Sequence, residues 1–365
     1  MCAKTEVEKT AAYSEESAVP SNQTTDLQLS TFKYLSGHRT PPSIEHFSRR
    51  RKEMKALASI LIATHLIYES PTGLFLENIA VRPCGKLLLT SIISPTLTTL
   101  DPASGNATLN DVYTFPNATG LTGIIEYAPD TYAVVASVLN ATAARAELGS
   151  VVIWKVDLTS GRPLVTRITG IPDSELINGL STVPGAPDLV LAADSVVGAV
   201  YEISTRTGAA RIAVQDAALA PGPGPALGPV LGINGLHVRD GVLYFTNSQQ
   251  GTFARLPLAI QKSGVHAAGA VEVLGTIPAT TIPSGPDDFA LDSEGRAWVT
   301  VHPGSLVLFS PRADGTWAQE TVAGDDAFTS PGPTAAAFGR AGTEAEKLLY
   351  VVTGSGQIVG VDTAA

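Results

Sequence analysis

Four polar residues stand at matching places in the sequence, and together they could bind a metal ion. Glu77, Asn178, Asn234 and Asp287 each lie at the start of an apolar, strand-like segment, and the four segments are far apart along the chain. Carboxylate and amide oxygens are the ligands that hard divalent cations prefer. If the segments meet, these four side chains form a candidate site for Ca²⁺, with Mg²⁺ or Mn²⁺ as alternatives, and leave coordination positions open for water or substrate.

The segments that carry these residues belong to a set of six. Each contains a short apolar strand, a turn and a second apolar strand, as in 231–247, where Asp240-Gly241 forms the turn. The residues at the equivalent place are Glu77, Gly123, Asn178, Asn234, Asp287 and Thr334. Their spacing, roughly 45 to 57 residues, is typical of a four-stranded propeller blade. We therefore predict an all-β fold, a six-bladed β-propeller with four-stranded antiparallel blades around a central channel.

The composition agrees with this fold and limits the partners. The chain has 34 Gly and 25 Pro with short apolar runs between them, which favours strands over helices. Apolar residues make up 44% and charged residues 16%, enough for a large core. A net charge of -10 argues against a nucleic-acid partner, because phosphate binding needs clustered Lys and Arg. No apolar segment is long enough to span a membrane.

The first part of the chain differs from the rest. Residues 1–53 are polar and end in the basic run 49–52, so we predict a flexible extension before a propeller over 54–365. The run 54–63 resembles the core of a signal peptide, which would imply secretion if the chain started at Met54 and a cytoplasmic protein if it started at Met1. Because this run is short and continues into Leu66-Ile67-Tyr68, we favour a strand that closes the domain.

The four oxygen donors resemble a known metal site. In a propeller, the innermost strand of each blade lines the channel, so the strand starts meet at one mouth. Glu77, Ile177-Asn178-Gly179, Ile233-Asn234-Gly235-Leu236 and Pro286-Asp287 resemble the metal tetrad of the regucalcin/gluconolactonase family of six-bladed propellers, and the resemblance covers roughly residues 66 to 363. It implies a divalent cation that polarises a lactone or phosphoester, with Asp287 as the base or nucleophile.

The chain departs from this family in ways that favour an apolar ligand. Leu176 stands where lactonases acting on sugar acids commonly have Arg, and Asn78-Ile79 follows Glu77 where Gly-Pro is usual. We expect Phe75 and Leu176 to line a substrate pocket, with Asn78 and Thr334 as further substrate-binding residues.

A narrower resemblance concerns the reaction. The opening at 77–82, the long loops rich in Pro, Gly and Ala, and the low charge resemble a fungal branch of the family found in natural-product pathways. Some members are pericyclases that join a tropolone-type o-quinone methide to a terpene alkene by an intermolecular hetero-Diels–Alder reaction. This chemistry needs an apolar pocket, orientation, and hydrogen bonds or a cation on the diene carbonyl. His302, which follows Trp298-Val-Thr-Val, is a second catalytic candidate as a proton carrier or hydrogen-bond donor.

Three functions stay open at this point. The first is a cyclase of fungal secondary metabolism that acts on small apolar molecules and uses no organic cofactor. The second is a metal-dependent lactonase or esterase that uses the tetrad. The third is a non-catalytic ligand-binding propeller, in which the tetrad holds a structural Ca²⁺ that plugs the channel. Removing the metal should separate them, because it would abolish hydrolysis but only destabilise a binding protein.

Overall fold

The computed structural model describes residues 62–222, 229–277, 285–324 and 326–363, and their regular structure consists of strands. No helix in this part of the chain has the length and apolar character needed to cross a membrane. In chain order the strands are β1 Thr64–Glu69, β2 Ile79–Val81, β3 Leu87–Ser91, β4 Ser94–Leu100, β5 Asn110–Thr114, β6 Gly120–Ala128, β7 Thr131–Ser137, β8 Leu139–Asn140, β9 Arg145–Ala146, β10 Val152–Asp157, β11 Leu164–Gly170, β12 Ile177–Thr182, β13 Leu189–Asp194, β14 Ala199–Ser204, β15 Ala210–Gln215, β16 Ile233–Arg239, β17 Val242–Asn247, β18 Thr252–Gln261, β19 Gly264–Ala267, β20 Glu272–Thr276, β21 Gly285–Leu291, β22 Ala297–His302, β23 Ser305–Pro311, β24 Trp317–Ala323, β25 Pro333–Phe338, β26 Leu348–Thr353 and β27 Gln357–Asp362.

The strands form six antiparallel blades, which confirms the predicted six-bladed β-propeller. From the innermost strand outwards, the blades are β2-β3-β4-β5, β6-β7-β10-β11, β12-β13-β14-β15, β16-β17-β18-β20, β21-β22-β23-β24 and β25-β26-β27-β1. We number them blades 1 to 6. The short hairpin β8–β9 is inserted in blade 2, and β19 pairs with β18 in blade 4.

The ring is closed by the first strand of the described chain. Strand β1 pairs with β27 and becomes the outer strand of blade 6, so the two ends of the propeller lie in one sheet. The predicted strand at Leu66-Ile67-Tyr68 is confirmed. The predicted extension over 1–53, the boundary at residue 54 and the run 54–61 lie outside the described residues and stay predictions.

Apolar side chains fill the spaces between neighbouring blades. One such cluster contains Val135 and Ile153 of blade 2 together with Ile177, Leu180 and Val190 of blade 3. Because each blade is packed on both faces, the second strands are mostly buried, and β7 is buried along its whole length. This burial supplies the hydrophobic stabilisation that holds the inner strands around the channel.

All six innermost strands carry a β-bulge at the same place. In each blade the innermost strand advances one residue more than its neighbour, so that two residues face one. In blade 1, Thr90 pairs through its backbone with both Glu77 and Asn78. In the others the bulge lies between paired residues, which are Leu121 and Ile124, Ile177 and Leu180, Ile233 and Leu236, Pro286 and Phe289, and Pro333 and Ala335. The four predicted metal ligands all lie in these bulges.

Candidate functional site

The bulges of neighbouring blades touch one another and form a ring around the channel mouth. A Cβ atom added at Gly123 would lie 2.2 Å from the carbonyl oxygen of Asn178. One added at Gly179 would lie 2.8 Å from the carbonyl oxygen of Asn234, and one at Gly235 would lie 2.3 Å from Oδ1 of Asp288. The glycines are therefore required by the close approach of the next blade. This ring brings the four predicted ligands to one end of the channel.

Hydroxyl groups fix the position of each bulge from the blade before it. Three of them donate to the carbonyl of the residue directly preceding a predicted ligand, and the fourth donates to the carbonyl of Asp287 itself. The donors and acceptors are Thr122 to Ile177 at 2.6 Å, Ser195 to Ile233 at 2.6 Å, Thr334 to Leu76 at 2.8 Å, and Thr246 to Asp287. Of these donors, the sequence singled out only Thr334, and for substrate binding instead of for this contact, because Ser and Thr are common throughout this chain.

Two of the predicted ligands have oxygens that the surrounding protein leaves unpaired. The carboxylate of Glu77 makes no hydrogen bond or ion pair with any described residue. The amide nitrogen Nδ2 of Asn234 donates to Oγ of Ser248 at 3.0 Å, while its oxygen Oδ1 is buried and finds no partner among the described residues. A buried oxygen without a partner is costly, so Oδ1 of Asn234 fits a site that a ligand completes. The half-buried carboxylate of Glu77 has no partner among the described residues that a ligand would have to displace.

The two carboxylates of the tetrad repel each other. Burial, followed by repulsion from Asp287 and Asp288, holds the pKa of Glu77 well above its ordinary value. Burial also raises the pKa of Asp287, and Asp288 adds to this rise. His302 and the amide of Asn234 act in the opposite direction on Asp287. This crowding of negative charge would be relieved by a cation.

The donor set fits a hard cation. Within the described ranges, no group of three or more His, Cys, Asp or Glu side chains is placed to hold a metal ion. A cation would therefore need the amide oxygens of Asn178 and Asn234 besides the carboxylates of Glu77 and Asp287. All-oxygen ligation of this kind suits Ca²⁺ or Mg²⁺ and does not suit Zn²⁺, which prefers nitrogen and sulfur.

His302 and Asp287, the two predicted catalytic residues, are paired. Nε2 of His302 lies 2.8 Å from Oδ2 of Asp287, and both side chains are largely buried. The other ring nitrogen, Nδ1 of His302, is buried and has no partner in the described part of the chain. One ring nitrogen of the pair is therefore left without a hydrogen bond from the described protein.

The predicted substrate-binding residues have different environments. The ring of Phe75 is partly exposed and lies against Gly354, where a Cβ would come within 2.6 Å of it. Leu176 is only 4% exposed and packs in the cluster between blades 2 and 3, so its side chain offers little surface to a ligand. Thr334 is buried, and its hydroxyl is taken up by the carbonyl of Leu76. Asn78 donates from Nδ2 to Oδ2 of Asp288 at 2.9 Å.

Two exposed apolar residues at the tetrad end of the propeller were not found from the sequence. Ile93 is 53% exposed in the turn between β3 and β4, and Leu148 is 64% exposed between β7 and β10. In each blade the second strand returns to the end where the innermost strand starts. These connections therefore lie at the same end of the propeller as the tetrad. The sequence carries no signal for them, because exposure depends on where each turn falls.

The comparisons with solved structures show the class of protein. A luciferin-regenerating enzyme is similar with a TM-score of 0.57, at 15% identity over 83% of this chain and 96% of that chain. A candidate gluconolactonase is similar with a TM-score of 0.51, at 14% identity over 83% of this chain and 92% of that chain. These likenesses concern the fold alone. The chain is a six-bladed β-propeller of gluconolactonase-like architecture.

Relatives by sequence show the family. A candidate hetero-Diels–Alderase of Phoma sp. is 30% identical over 321 residues, which cover 81% of this chain and 88% of the relative. The candidate hetero-Diels–Alderase asR5 of Sarocladium schorii is 24% identical over 354 residues, 89% of this chain and 86% of the relative. No protein-family model matches the chain. The chain belongs to the hetero-Diels–Alderase family and is an enzyme of the cyclase class, with a fungal Diels–Alderase-like role.

Proposed function

We propose that this enzyme joins a tropolone-type o-quinone methide to a terpene alkene by an intermolecular hetero-Diels–Alder reaction at the tetrad mouth of the propeller. The observation that carries the proposal is the meeting of two features in a chain of this family. Buried polar groups without protein partners lie at the channel mouth. Exposed apolar side chains lie in connections at the same end.

This reaction does not require the protein to form a covalent bond with a substrate. The oxadiene and the alkene form one C–O bond and one C–C bond, and no atom leaves. The protein therefore needs no nucleophile, but it must hold the two partners at reacting distance. It must also stabilise the negative charge that develops on the quinone-methide oxygen in the transition state.

His302 is the group best placed to stabilise this oxygen. Asp287 holds the ring through Nε2 at 2.8 Å and leaves Nδ1 without a protein partner. When the imidazole is protonated, Nδ1 can donate a hydrogen bond to the oxygen of the bound diene. The carboxylate of Asp287 then stabilises the positive charge on the ring.

The tetrad provides a second means of polarising the same oxygen. Glu77, Asn178, Asn234 and Asp287 would hold one Ca²⁺ or Mg²⁺, which supplies a fixed positive charge at the mouth. Asp287 can serve in both roles, since His302 engages only its Oδ2. The proposal requires no organic cofactor.

The terpene would bind to the apolar surface beside these polar groups. Phe75, Ile93 and Leu148 are partly or largely exposed and lie in connections at the tetrad end. Covering such side chains with an apolar molecule is favourable by about 25 cal/mol for each Å² removed from water. This hydrophobic gain can hold a terpene that has no polar groups.

A cycloaddition assay tests the proposal. The purified protein is incubated with a tropolone-type o-quinone methide, generated in place, and a terpene alkene. We expect faster adduct formation than in buffer and an excess of one stereoisomer, measured by chiral chromatography. An unchanged rate and an unchanged isomer ratio would show that the proposed reaction is wrong.

Metal-dependent lactone hydrolysis is the second candidate, and the Asp287–His302 pair favours it. A carboxylate held by a histidine beside a cation site could activate water toward a lactone carbonyl. This function predicts lactone hydrolysis that is lost with EDTA and in Asp287→Asn. In a non-catalytic binding protein, EDTA would lower only the midpoint of thermal unfolding, with neither activity detected.

A further inference from the structure

The second residue of the bulge differs between blades in an informative way. It is glycine at 123, 179 and 235, where the next blade leaves no space for a side chain. In blades 1 and 5 it is instead Asn78 and Asp288. Each directly follows a carboxylate of the tetrad, Glu77 in one case and Asp287 in the other. The two larger side chains therefore accompany the two acidic ligands.

These two side chains bind each other, although blade 6 lies between their blades. Nδ2 of Asn78 donates to Oδ2 of Asp288 at 2.9 Å. The residues are buried, at 6% and 9% exposure. A hydrogen bond to a charged acceptor in a buried place is among the stronger ones in proteins.

The pair is nearly symmetric. Oδ1 of Asn78 accepts a hydrogen bond from the backbone N–H of Ile79 at 2.8 Å. Oδ1 of Asp288 accepts the same bond from the backbone N–H of Phe289, also at 2.8 Å. Each side chain is thus held by the residue that follows it and uses its second polar atom to meet the other.

Blade 4 supports the Asp288 side of the pair. Gly235 leaves room for Asp288, since a Cβ there would lie 2.7 Å from its Cα. Nε2 of His237 donates to the carbonyl of Phe289 at 2.6 Å and lies 3.6 Å from Oδ1 of Asp288. The carboxylate of Asp288 is thereby held on both sides.

We propose that Asn78 and Asp288 are positioning residues that set the separation between the Glu77 and Asp287 carboxylates. The hydrogen bond ties the bulge of blade 1 to the bulge of blade 5, one residue away from each carboxylate. The inference rests on the proposed cation site, because that separation decides how well a cation is coordinated. A cation that tolerates only a narrow range of geometry, such as Mg²⁺, is more sensitive to it than Ca²⁺.

Four proteins test this role by Ca²⁺ and Mg²⁺ titration in a calorimeter. They are the wild type, Asn78→Ala, Asp288→Ala and the exchange variant Asn78→Asp/Asp288→Asn. The exchange keeps the net charge and the shape of both side chains, and the new Nδ2 at 288 can donate to the new carboxylate at 78. Asn110→Ala, on the exposed outer strand β5, is the control for general effects of substitution.

We expect both single variants to bind Ca²⁺ about tenfold more weakly, since each loses the hydrogen bond between Asn78 and the charged acceptor Asp288. Mg²⁺ affinity should fall further than Ca²⁺ affinity, and the exchange variant should recover most of both. Asn78→Ala changes no charge. A weaker cation affinity in this variant would therefore reflect lost positioning and not the loss of electrostatic attraction between Asp288 and the cation. Single variants with wild-type affinity, or an exchange variant as weak as the single ones, would overturn the inference.

The same proteins separate this inference from the cation proposal. If the wild type binds neither ion, the proposed cation site is wrong, and the pair is judged by adduct formation. In that case kcat should fall in both single variants and return in the exchange variant. If kcat then stays unchanged in the single variants, the positioning role is wrong as well.

Discussion

His302 and Asp287 are joined by a contact of 2.8 Å between Nε2 and Oδ2, and both belong to blade 5. Asp287 lies in the bulge of β21, and His302 ends the antiparallel neighbour β22, where it pairs with Gly285. The bulge brings the carboxylate toward the histidine across the sheet. A group that can carry a proton is thereby held at the channel mouth, next to the tetrad.

Replacing His302 should slow the cycloaddition while leaving the fold intact. For His302→Ala we expect the rate of adduct formation to fall by roughly 100-fold, the lower range for loss of a positioned acid or base. His302→Gln should fall less, because its amide can still donate a hydrogen bond. The control is His65→Ala, on the exposed outer strand β1. Equal rates for His302→Ala and the wild type would remove His302 from the mechanism.

Replacing Glu77 should weaken cation binding and make the cation-free protein more stable. Its pKa in the folded protein is raised, first by burial and then by Asp287 and Asp288. A raised carboxyl pKa favours folding below the unfolded value of about 4.3, and this contribution is lost as the pH rises through the folded pKa. In the presence of EDTA at pH 7, Glu77→Gln should therefore unfold at a higher temperature than the wild type.

Adding Ca²⁺ should reverse this order. The wild type should gain stability from the bound ion, and Glu77→Gln should gain little. Thermal unfolding at pH 4 to 8, with EDTA or Ca²⁺, measures both effects. Glu320→Gln, exposed on the outer strand β24, is the matched control. A Glu77→Gln variant that is less stable than the wild type with EDTA at pH 7 would contradict this account.

Gly235 should not tolerate a side chain. A Cβ there would lie 2.3 Å from Oδ1 and 2.7 Å from Cα of Asp288, so backbone would have to move. We expect Gly235→Ala to lower the free energy of unfolding by about 1–3 kcal/mol, the usual range for overpacking. Urea denaturation measures the difference. Gly105→Ala, which has no atom within 4 Å of the added Cβ, should stay close to the wild type.

An ion pair formed by residues at the other ends of the inner strands should stabilise the propeller above acid pH. Arg82 donates to both oxygens of Asp130, at 3.0 and 2.7 Å, and Tyr132 donates from its hydroxyl at 3.2 Å. Burial alone would raise the pKa of Asp130, but these hydrogen bonds and the charge of Arg82 hold it below its ordinary value. The ion pair therefore stabilises the folded protein above the pKa that Asp130 has in the unfolded chain. This stabilisation is lost as the pH falls through the pKa that Asp130 has in the folded protein.

Asp130→Asn should therefore cost about 1–3 kcal/mol at pH 7, and the difference from the wild type should shrink as the pH falls below the unfolded value of about 3.9. Urea denaturation over this pH range measures it. Asp240→Asn is a matched control, since Asp240 has a similar positive φ of 52° against 48° and its side chain is 90% exposed. A pH-independent difference for Asp130→Asn would show that the ion pair contributes nothing.

The sequence alone determined the propeller and the places of the four candidate ligands. Segments of similar pattern recur at nearly even spacing. Each strand-turn-strand segment can be recognised from neighbouring residues alone, without knowledge of tertiary contacts. Asn-Gly at 178–179 and 234–235 falls in the bulges, where the glycine and the candidate ligand lie side by side.

Only the tertiary structure decided which side chains meet. Asn78 and Asp288 are 210 residues apart and touch because the ring brings blades 1 and 5 to either side of blade 6. Leu176 looked suited to a pocket but packs between blades 2 and 3, because its neighbours Ile177 and Leu180 are buried there. No local pattern encodes such contacts. They depend on how closely the blades approach, and hence on all the side chains packed between them.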